Sequence, residues 1–408
     1  MTSLAGLFMS LTFLFLGCPL PIAQDVPRYK VDPFWPKEFP NNWIFGQVTG
    51  IAVDSDNHVW VLSDPSSVPK DDAAAAQIPP WSQCCIPAPA VTEFGADGNV
   101  LKAWGGPGYG PEWPIEPHGI SVDKRGNIWI GGVGRPWNPD LPKTPQITDE
   151  LARDRQVLKF SSDGKLLMEI GHSSTEPVNN QDTTILGAPA AITVDDAANE
   201  VYIADGLLNK RVVVYDSNTG VFKRGWGAYG IPLGKIDNSD LEAFEFLQTG
   251  FDSSASHSKP FRSLTDITMS DDGLLYVADQ EDNRIQVFTK SGSFVKELLV
   301  APKTLGTGSV WGITLSRDPK QHYLFVADGA SGVIRILRRD DGTEVGKLGH
   351  KGRNIGQFVS LAFVALDSRA ALYTGEVHFT RSWDGWQAAH TGKVDVAGGR
   401  FQRFLPAN

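Results

Sequence analysis

His118 stands between Pro117 and Gly119 at the head of the apolar run GISV. An imidazole titrates near neutral pH, so a histidine held there suits a general base or a metal ligand. Thr265 and Asp266 head the run ITM in the same way, with Arg262 just upstream. A hydroxyl, a carboxylate and a guanidinium beside an imidazole are groups that a lyase or hydrolase uses to hold and protonate a polar substrate. His118, Thr265, Asp266 and Arg262 therefore form the candidate catalytic set. Thr49, Ala190, Trp311 and Ala362 occupy the same head position in four further runs. One imidazole, two hydroxyls and one indole around a common mouth describe a small-molecule cleft, with Thr49 and Trp311 as ligand-binding groups. Trp113 and Trp137 lie on loops and extend that binding rim, as do Trp81, Trp383 and Trp386.

Each of these has a structural reading beside the chemical one. His118 can simply be hydrogen-bonded in place, and the loop tryptophans can pack their loops down. Asp205 with Asn209 and Arg211 is repeated as Asp279 with Asn283 and Arg284. A catalytic group rarely needs copies in successive repeats, so these fix turns and pair strands. Glu376 and His378 make a carboxylate–imidazole pair only if their strand continues, which puts both on one face. His172 and His350 follow the glycine that ends a strand and read as structural. His58, His257, His322 and His390 fall in turns or insertions and read as solvated. The glycine-rich string of residues 105–110 follows a strand but opens no helix, so it is a turn and not a dinucleotide site.

The elements that position these groups are repeats. A short apolar strand, a polar turn and a second strand recur six times: GIAVD-SDNH-VWVLS (50–63), GISVD-KRGN-IWIGG (119–132), AITVD-DAANE-VYIAD (191–205), DITMS-DDGL-LYVAD (266–279), GITLS-RDPKQH-YLFVAD (312–328) and LAFVALD-SRAA-LYTGEV (361–377). β-Branched and aromatic residues bounded by Asp, Asn and Gly turns are hairpin chemistry. Five of the hairpins are followed by a third and fourth strand, such as QVLKF and LLMEIG, and no long segment keeps a helical period. Four strands per repeat is the pattern of a propeller blade.

The markers Asp54, Asp123, Asp195, Ser270, Ser316 and Asp367 lie 69, 72, 75, 46 and 51 residues apart. A bare blade needs about 40–50 residues. Insertions therefore fall near residues 64–89, 133–155, 228–262 and 378–398. Blades begin near residues 48, 117, 189, 264, 310 and 360, and the chain is expected to form an all-β, six-bladed propeller as a single domain over residues 24–408. The sixth blade lacks a fourth strand, which Tyr29-Lys30-Val31-Asp32 can supply, closing the ring and removing open sheet edges.

The 408 residues are 41% apolar and 21% charged, a globular composition, and 42 glycines with 27 prolines suit a turn-rich fold. The formal charge of −10 repels phosphate backbones, which argues against nucleic-acid binding. Residues 4–16 are nearly all apolar, and Ala23 offers a cleavage site, so residues 1–23 read as an export signal. A lipid anchor on Cys18 and an uncleaved anchor are the alternatives, and all three place the folded part outside the cytoplasm, secreted or periplasmic. With the signal gone only Cys84 and Cys85 remain, either as two thiols or as a vicinal disulfide. Neither has partners at thiolate metal-site spacing.

The strings YIADGLLNKRVVVYD and YVADQEDNRIQVF resemble NHL repeats. The order of all six, with PHGISVDKRGNIWIGG second, resembles the lyase half of peptidylglycine α-amidating enzymes and their bacterial relatives, over residues 42–404. That resemblance implies a zinc ion in the central channel, held by one histidine at the head of each of three inner strands, with a Tyr and an Arg cleaving a carbinolamide into an amide and glyoxylate. His118 matches the first zinc position. Thr265 and Ala362 stand at the other two, Leu207 replaces the Tyr, and the Arg position falls in Ser63-Asp64-Pro65. Zinc needs three protein ligands even at an open site, so the chain is not expected to be an amidating lyase, and His118 survives as a remnant ligand.

Two functions follow as expectations. The first is a monomeric binding or scaffold propeller that holds a small molecule, protein or peptide at the channel mouth. The second is a lyase or hydrolase with altered chemistry centred on His118. No cofactor is fixed by the sequence, although zinc or calcium remains open.

Overall fold

The computed structural model describes residues 26–110, 113–134, 154–238, 260–377 and 400–407. The expected export signal therefore lies outside the described residues, as do Trp137, Trp383, Trp386, His378 and most of three insertions. Regular structure among the described residues is β-strand, with 3-10 turns as its only helical pieces.

Six four-stranded antiparallel sheets make the fold. After β1 (Tyr29–Asp32) and β2 (Trp43–Ile44), blade one runs through β3 (Gln47–Val53) and β4 (Val59–Asp64). Its insertion carries β5 (Ile86–Pro87), parallel to β2, before β6 (Val91–Phe94) and β7 (Val100–Trp104). Blade two is β8 (Pro117–Val122), β9 (Ile128–Gly132), β10 (Gln156–Phe160) and β11 (Leu166–Gly171). Blade three is β12 (Pro189–Asp195), β13 (Glu200–Asp205), β14 (Arg211–Asp216) and β15 (Phe222–Trp226). Blade four is β16 (Leu264–Met269), β17 (Leu274–Asp279), β18 (Arg284–Thr289) and β19 (Phe294–Leu299). Blade five is β20 (Gly312–Leu315), β21 (Tyr323–Asp328), β22 (Val333–Arg338) and β23 (Glu344–Leu348). Blade six is β24 (Leu361–Leu366), β25 (Leu372–Glu376) and β26 (Phe401–Pro406), completed by β1, which pairs Tyr29 with Pro406 and Asp32 with Arg403. The ring closes as the sequence predicts.

The first strand of each blade packs on the first strand of the next, and β24 returns to β3. These six inner strands enclose the central channel. They run in the same sense, so the polar hairpin turns lie at one end, while the connections after second and fourth strands lie at the other. The described ends of the chain that flank the insertions, such as Val133, Asp154, Pro260 and Val377, lie on that second face.

The turns hold because a carboxylate caps each of several of them. Asp123 accepts the backbone N–H groups of Arg125 and Asn127 and the indole N–H of Trp129. Asp367 does the same for Arg369, Ala371 and the Tyr373 hydroxyl. Between blades lies one large aromatic per second strand: Trp60, Trp129, Tyr202, Tyr276, Phe325 and Tyr373, all essentially inaccessible. Fully burying such a ring contributes about 1.5–3 kcal/mol. Second strands are covered by neighbouring blades on both faces, and β4 is buried at every residue, whereas the outer β7 carries exposed positions.

A second recurring device joins the second and third strands. Asp205 Oδ2 accepts from Arg211 Nε at 2.7 Å, and both side chains are fully buried. Asp279 pairs with Arg284, Asp328 with Arg335 and Glu376 with Arg400. The carboxylate also receives N–H groups from the segment entering the inner strand, Gly187 in blade three and Ser263 in blade four. These are the strand-pairing roles expected of the repeated Asp and Arg. Glu376 belongs to this set, spent on Arg400 and the N–H groups of Val359 and Ser360.

Candidate functional site

The head residue of the inner strand sits at a β-bulge. In blades one, three, four and six the register steps over Thr49, Ala190, Thr265 and Ala362. In blade two the step comes one residue later, over Gly119, and His118 pairs with Gly131 instead. Gly119 has φ +70°, and a Cβ there would meet the Ala190 carbonyl oxygen at 2.3 Å. Glycine thus lets blade two shift its bulge, and the shift presents His118 differently from the four head residues that sit at the bulge. Its Nδ1–H donates to the Ala190 oxygen at 2.9 Å, since a carbonyl can only accept. The ring lies 5.5 Å from that of Phe363, across from blade six.

On the channel axis lies a cavity of about 150 Å3 walled by all six inner strands. Thr265 and Asp266 line it, as do Ala190 and Phe363. One layer further in, Ser121, Thr193, Thr268 and Thr314 add four hydroxyl-bearing residues. The polar lining is thus carried by the third position of the repeated G-I-x-V run, which the sequence reading passed over. A small residue with a hydroxyl, recurring at one strand register in four successive blades, was the available signal.

Asp266 faces this channel and is otherwise enclosed by protein. Its Oδ1 accepts the N–H of Ile267 at 2.8 Å and its Oδ2 that of Ile313, on the neighbouring blade, at 2.7 Å. Burial pushes its carboxyl up to about 7, against the lowering effect of those two N–H groups. A carboxyl poised there holds or releases a proton near neutral pH. Thr265 Oγ1 donates to the Val310 oxygen at 3.1 Å.

The remaining sequence candidates are placed elsewhere. Arg262 is held away from the cavity lining: its Nε donates to Glu281 Oε2 at 2.6 Å, and its carbonyl accepts from Lys210 Nζ. Burial lowers the Lys210 ammonium and raises the Glu281 carboxyl. Trp311 is buried in the core between blades five and six, its indole N–H on the Gly308 oxygen, so it offers no open ring face to a ligand. Trp113 packs on Trp104, Tyr109 and Phe160 at the joint of blades one and two, away from the channel. In both cases the ring packs with hydrophobic residues of two adjacent blades, which removes its apolar surface from water. Thr49 is buried, and its hydroxyl has no hydrogen-bond partner. Cys84 and Cys85 are joined by a disulfide across a cis peptide in the blade-one insertion.

The three zinc positions do not fit the ion. His118 offers an imidazole, Thr265 a hydroxyl already donated to a backbone carbonyl, and Ala362 a buried methyl.

Residues 261–288 match the NHL repeat family. Peptidyl-glycine alpha-amidating monooxygenase B of Xenopus laevis is 25% identical over 279 residues, 67% of this chain and 26% of that protein. The peptidylglycine alpha-amidating monooxygenase of Rattus norvegicus is 26% identical over 260 residues, 62% of this chain and 22% of that one. The matched segment spans about a quarter of the length of these relatives. Among solved structures, selenomethionine-substituted virginiamycin B lyase from Staphylococcus aureus aligns over 80% of this chain and 77% of its own, with a TM-score of 0.44 and 13% identity. The chain is an NHL-type six-bladed propeller with distant similarity to the amidating monooxygenases. No helix among the described residues is long and apolar enough to cross a membrane.

Proposed function

We propose that this propeller binds a small polar molecule on its channel axis and lacks the zinc-dependent lyase activity its resemblance suggests. The observation that carries this is the axial cavity, where hydroxyl-bearing residues and Asp266 converge while only one of three zinc positions has an imidazole. Hydroxyls in an enclosed site recognise amides, polyols and carboxylic acids by donating and accepting together. A protein or peptide partner at the channel mouth is the alternative ligand. The chain acts as one monomeric domain, exported through its apolar N-terminus, and its acidic charge leaves nucleic acid out.

Two experiments test this. Zinc-supplemented protein is assayed for glyoxylate release from a peptide ending in α-hydroxyglycine, and none is expected. A panel of small amides, polyols and carboxylic acids is then screened by saturation-transfer NMR against the native chain and Thr268→Val. Hits lost in the variant support the reading, and glyoxylate release overturns it.

A second reading is favoured by one observation, the elevated Asp266 carboxyl on the wall of the cavity, whose lining residue Phe363 lies 5.5 Å from the His118 ring. In that reading the chain is a lyase or hydrolase in which Asp266 delivers a proton and His118 accepts one. It requires turnover that falls as pH rises through about 7 and that disappears in Asp266→Asn.

A further inference from the structure

Blade one departs from its sister blades at the end of the ring opposite the channel mouth. In blade two the turn carboxylate Asp123 is matched by Lys159, which lies opposite Trp129 in the sheet, with Nζ 3.6 Å from Asp123 Oδ2. In blade six the same register position, opposite Tyr373, holds Arg403. In blade one that position, opposite Trp60, holds Glu93. In blades three, four and five it holds Val214, Val287 and Ile336, so blade one is alone among the six in placing an acid there, beside the turn carboxylate Asp54.

That placement brings two carboxylates together, and the residue between them is His58. Its Nδ1 lies 2.8 Å from Glu93 Oε1 and 3.6 Å from Asp54 Oδ2. One donor atom from each of Asp54, His58 and Glu93 lies within 4.8 Å of the others. Donors about 2.0–2.2 Å from a tetrahedral zinc ion stand about 3.3 Å apart, so the two distances to His58 lie within about half an ångström of that spacing, and the two carboxylates must close on the ion from a separation of up to 4.8 Å. Glu93 is 5% exposed, and its Oε2 makes no hydrogen bond. Lys102 Nζ stands 3.5 Å from that oxygen, an ion-pair distance without hydrogen-bond geometry. The imidazole of His58 is a third exposed, which leaves an entry path from solvent. Asp54 is held in place by the Trp60 indole N–H on Oδ2 at 2.9 Å and by the N–H groups of Asp56 and His58 on Oδ1. Outer contacts of that kind fix a metal-ligating carboxylate.

We propose that Asp54, His58 and Glu93 bind one divalent transition-metal ion of the zinc class, which supplies the positive charge that Lys159 provides in blade two. One imidazole and two carboxylates form a borderline nitrogen–oxygen set suited to zinc and leave a fourth position for water. The ion is structural: it ties the hairpin turn of blade one to its third strand and is independent of the channel.

The full chain, stripped with chelator and reloaded with zinc, is analysed by elemental analysis and calorimetric titration. The native chain and His118→Ala are each expected to bind one equivalent, and zinc is expected to raise Tm. His58→Ala is expected to lose the ion. Glu93→Lys restores the blade-two arrangement, so it is expected to lose the ion yet fold with an unchanged circular dichroism spectrum. Absence of zinc in the reloaded native chain overturns the assignment, as does its retention in His58→Ala and Glu93→Lys. Loss of the ion in His118→Ala alone moves it to the channel and overturns the proposal too.

Discussion

Asp32 and Arg403, at opposite ends of the chain, form a salt bridge across the strand pair that closes the ring. Nε of Arg403 donates to Asp32 Oδ2 at 3.0 Å, a second guanidinium nitrogen reaches the same oxygen, and the guanidinium lies 5.7 Å over the Trp35 ring. Burial raises the Asp32 carboxyl, but the Arg403 hydrogen bond and charge and the Phe34 N–H outweigh it and leave it below the ordinary range. The clasp therefore stabilises the fold above the unfolded carboxylate pKa and fades as pH falls through the lowered one. Arg403→Ala is expected to cost about 1.5–3 kcal/mol at pH 7, with the difference from the native chain shrinking in acid. Urea titrations at pH 7 and pH 3 measure both.

Asp266 has the opposite sign. Its folded-state value of about 7 stands above its ordinary 3.8, so between those values the folded chain keeps a proton that the unfolded chain has released. Its contribution is fully present below the ordinary value and is lost as pH rises through about 7. Native Tm is expected to fall between pH 5 and pH 8, and that slope is expected to flatten in Asp266→Asn. An equal slope in both chains assigns the effect to other groups.

Arg211 is fully buried, with its guanidinium on Asp205 and on the carbonyls of Asn180, Asp182 and Ile185. Arg211→Ala leaves the buried Asp205 carboxyl with the Gly187 and Asn209 N–H groups but without its guanidinium partner, and is expected to cost about 3–5 kcal/mol. Arg338, exposed and paired with Asp341, is the control, and Arg338→Ala is expected to leave Tm unchanged. Denaturant midpoints for the two variants decide the point.

Gly119→Ala forces a Cβ onto the Ala190 oxygen at a positive φ. It is expected to cost about 1–3 kcal/mol and to break the His118–Ala190 hydrogen bond, read from the Nδ1 chemical shift. Gly126 shares a positive φ but has open space around its missing Cβ, so Gly126→Ala carries only the backbone strain. Equal losses in the two variants, with the His118 shift unmoved, sink the bulge argument.

The sequence by itself determined the blades. Alternating β-branched strands and Asp-capped turns are local signals, and each repeat carries its own copy, so six blades and the closing role of Tyr29 to Asp32 are legible without coordinates. The structural role of Asp205, Arg211, Asp279 and Arg284 was legible for the same reason, since repetition marks a scaffold part. What each ring-facing side chain does was decided only by the tertiary structure. Trp311 and Thr265 head equivalent strands, yet one fills the joint between blades and the other lines the cavity, because a bulge or a neighbouring carbonyl turns each differently. The elevated Asp266 carboxyl depends on the Ile313 N–H of another blade and on enclosure by six strands. The Asp54–His58–Glu93 cluster likewise joins a hairpin turn to a strand more than a blade hairpin further along the chain. Local pattern fixes strands; the sites exist only where distant strands meet.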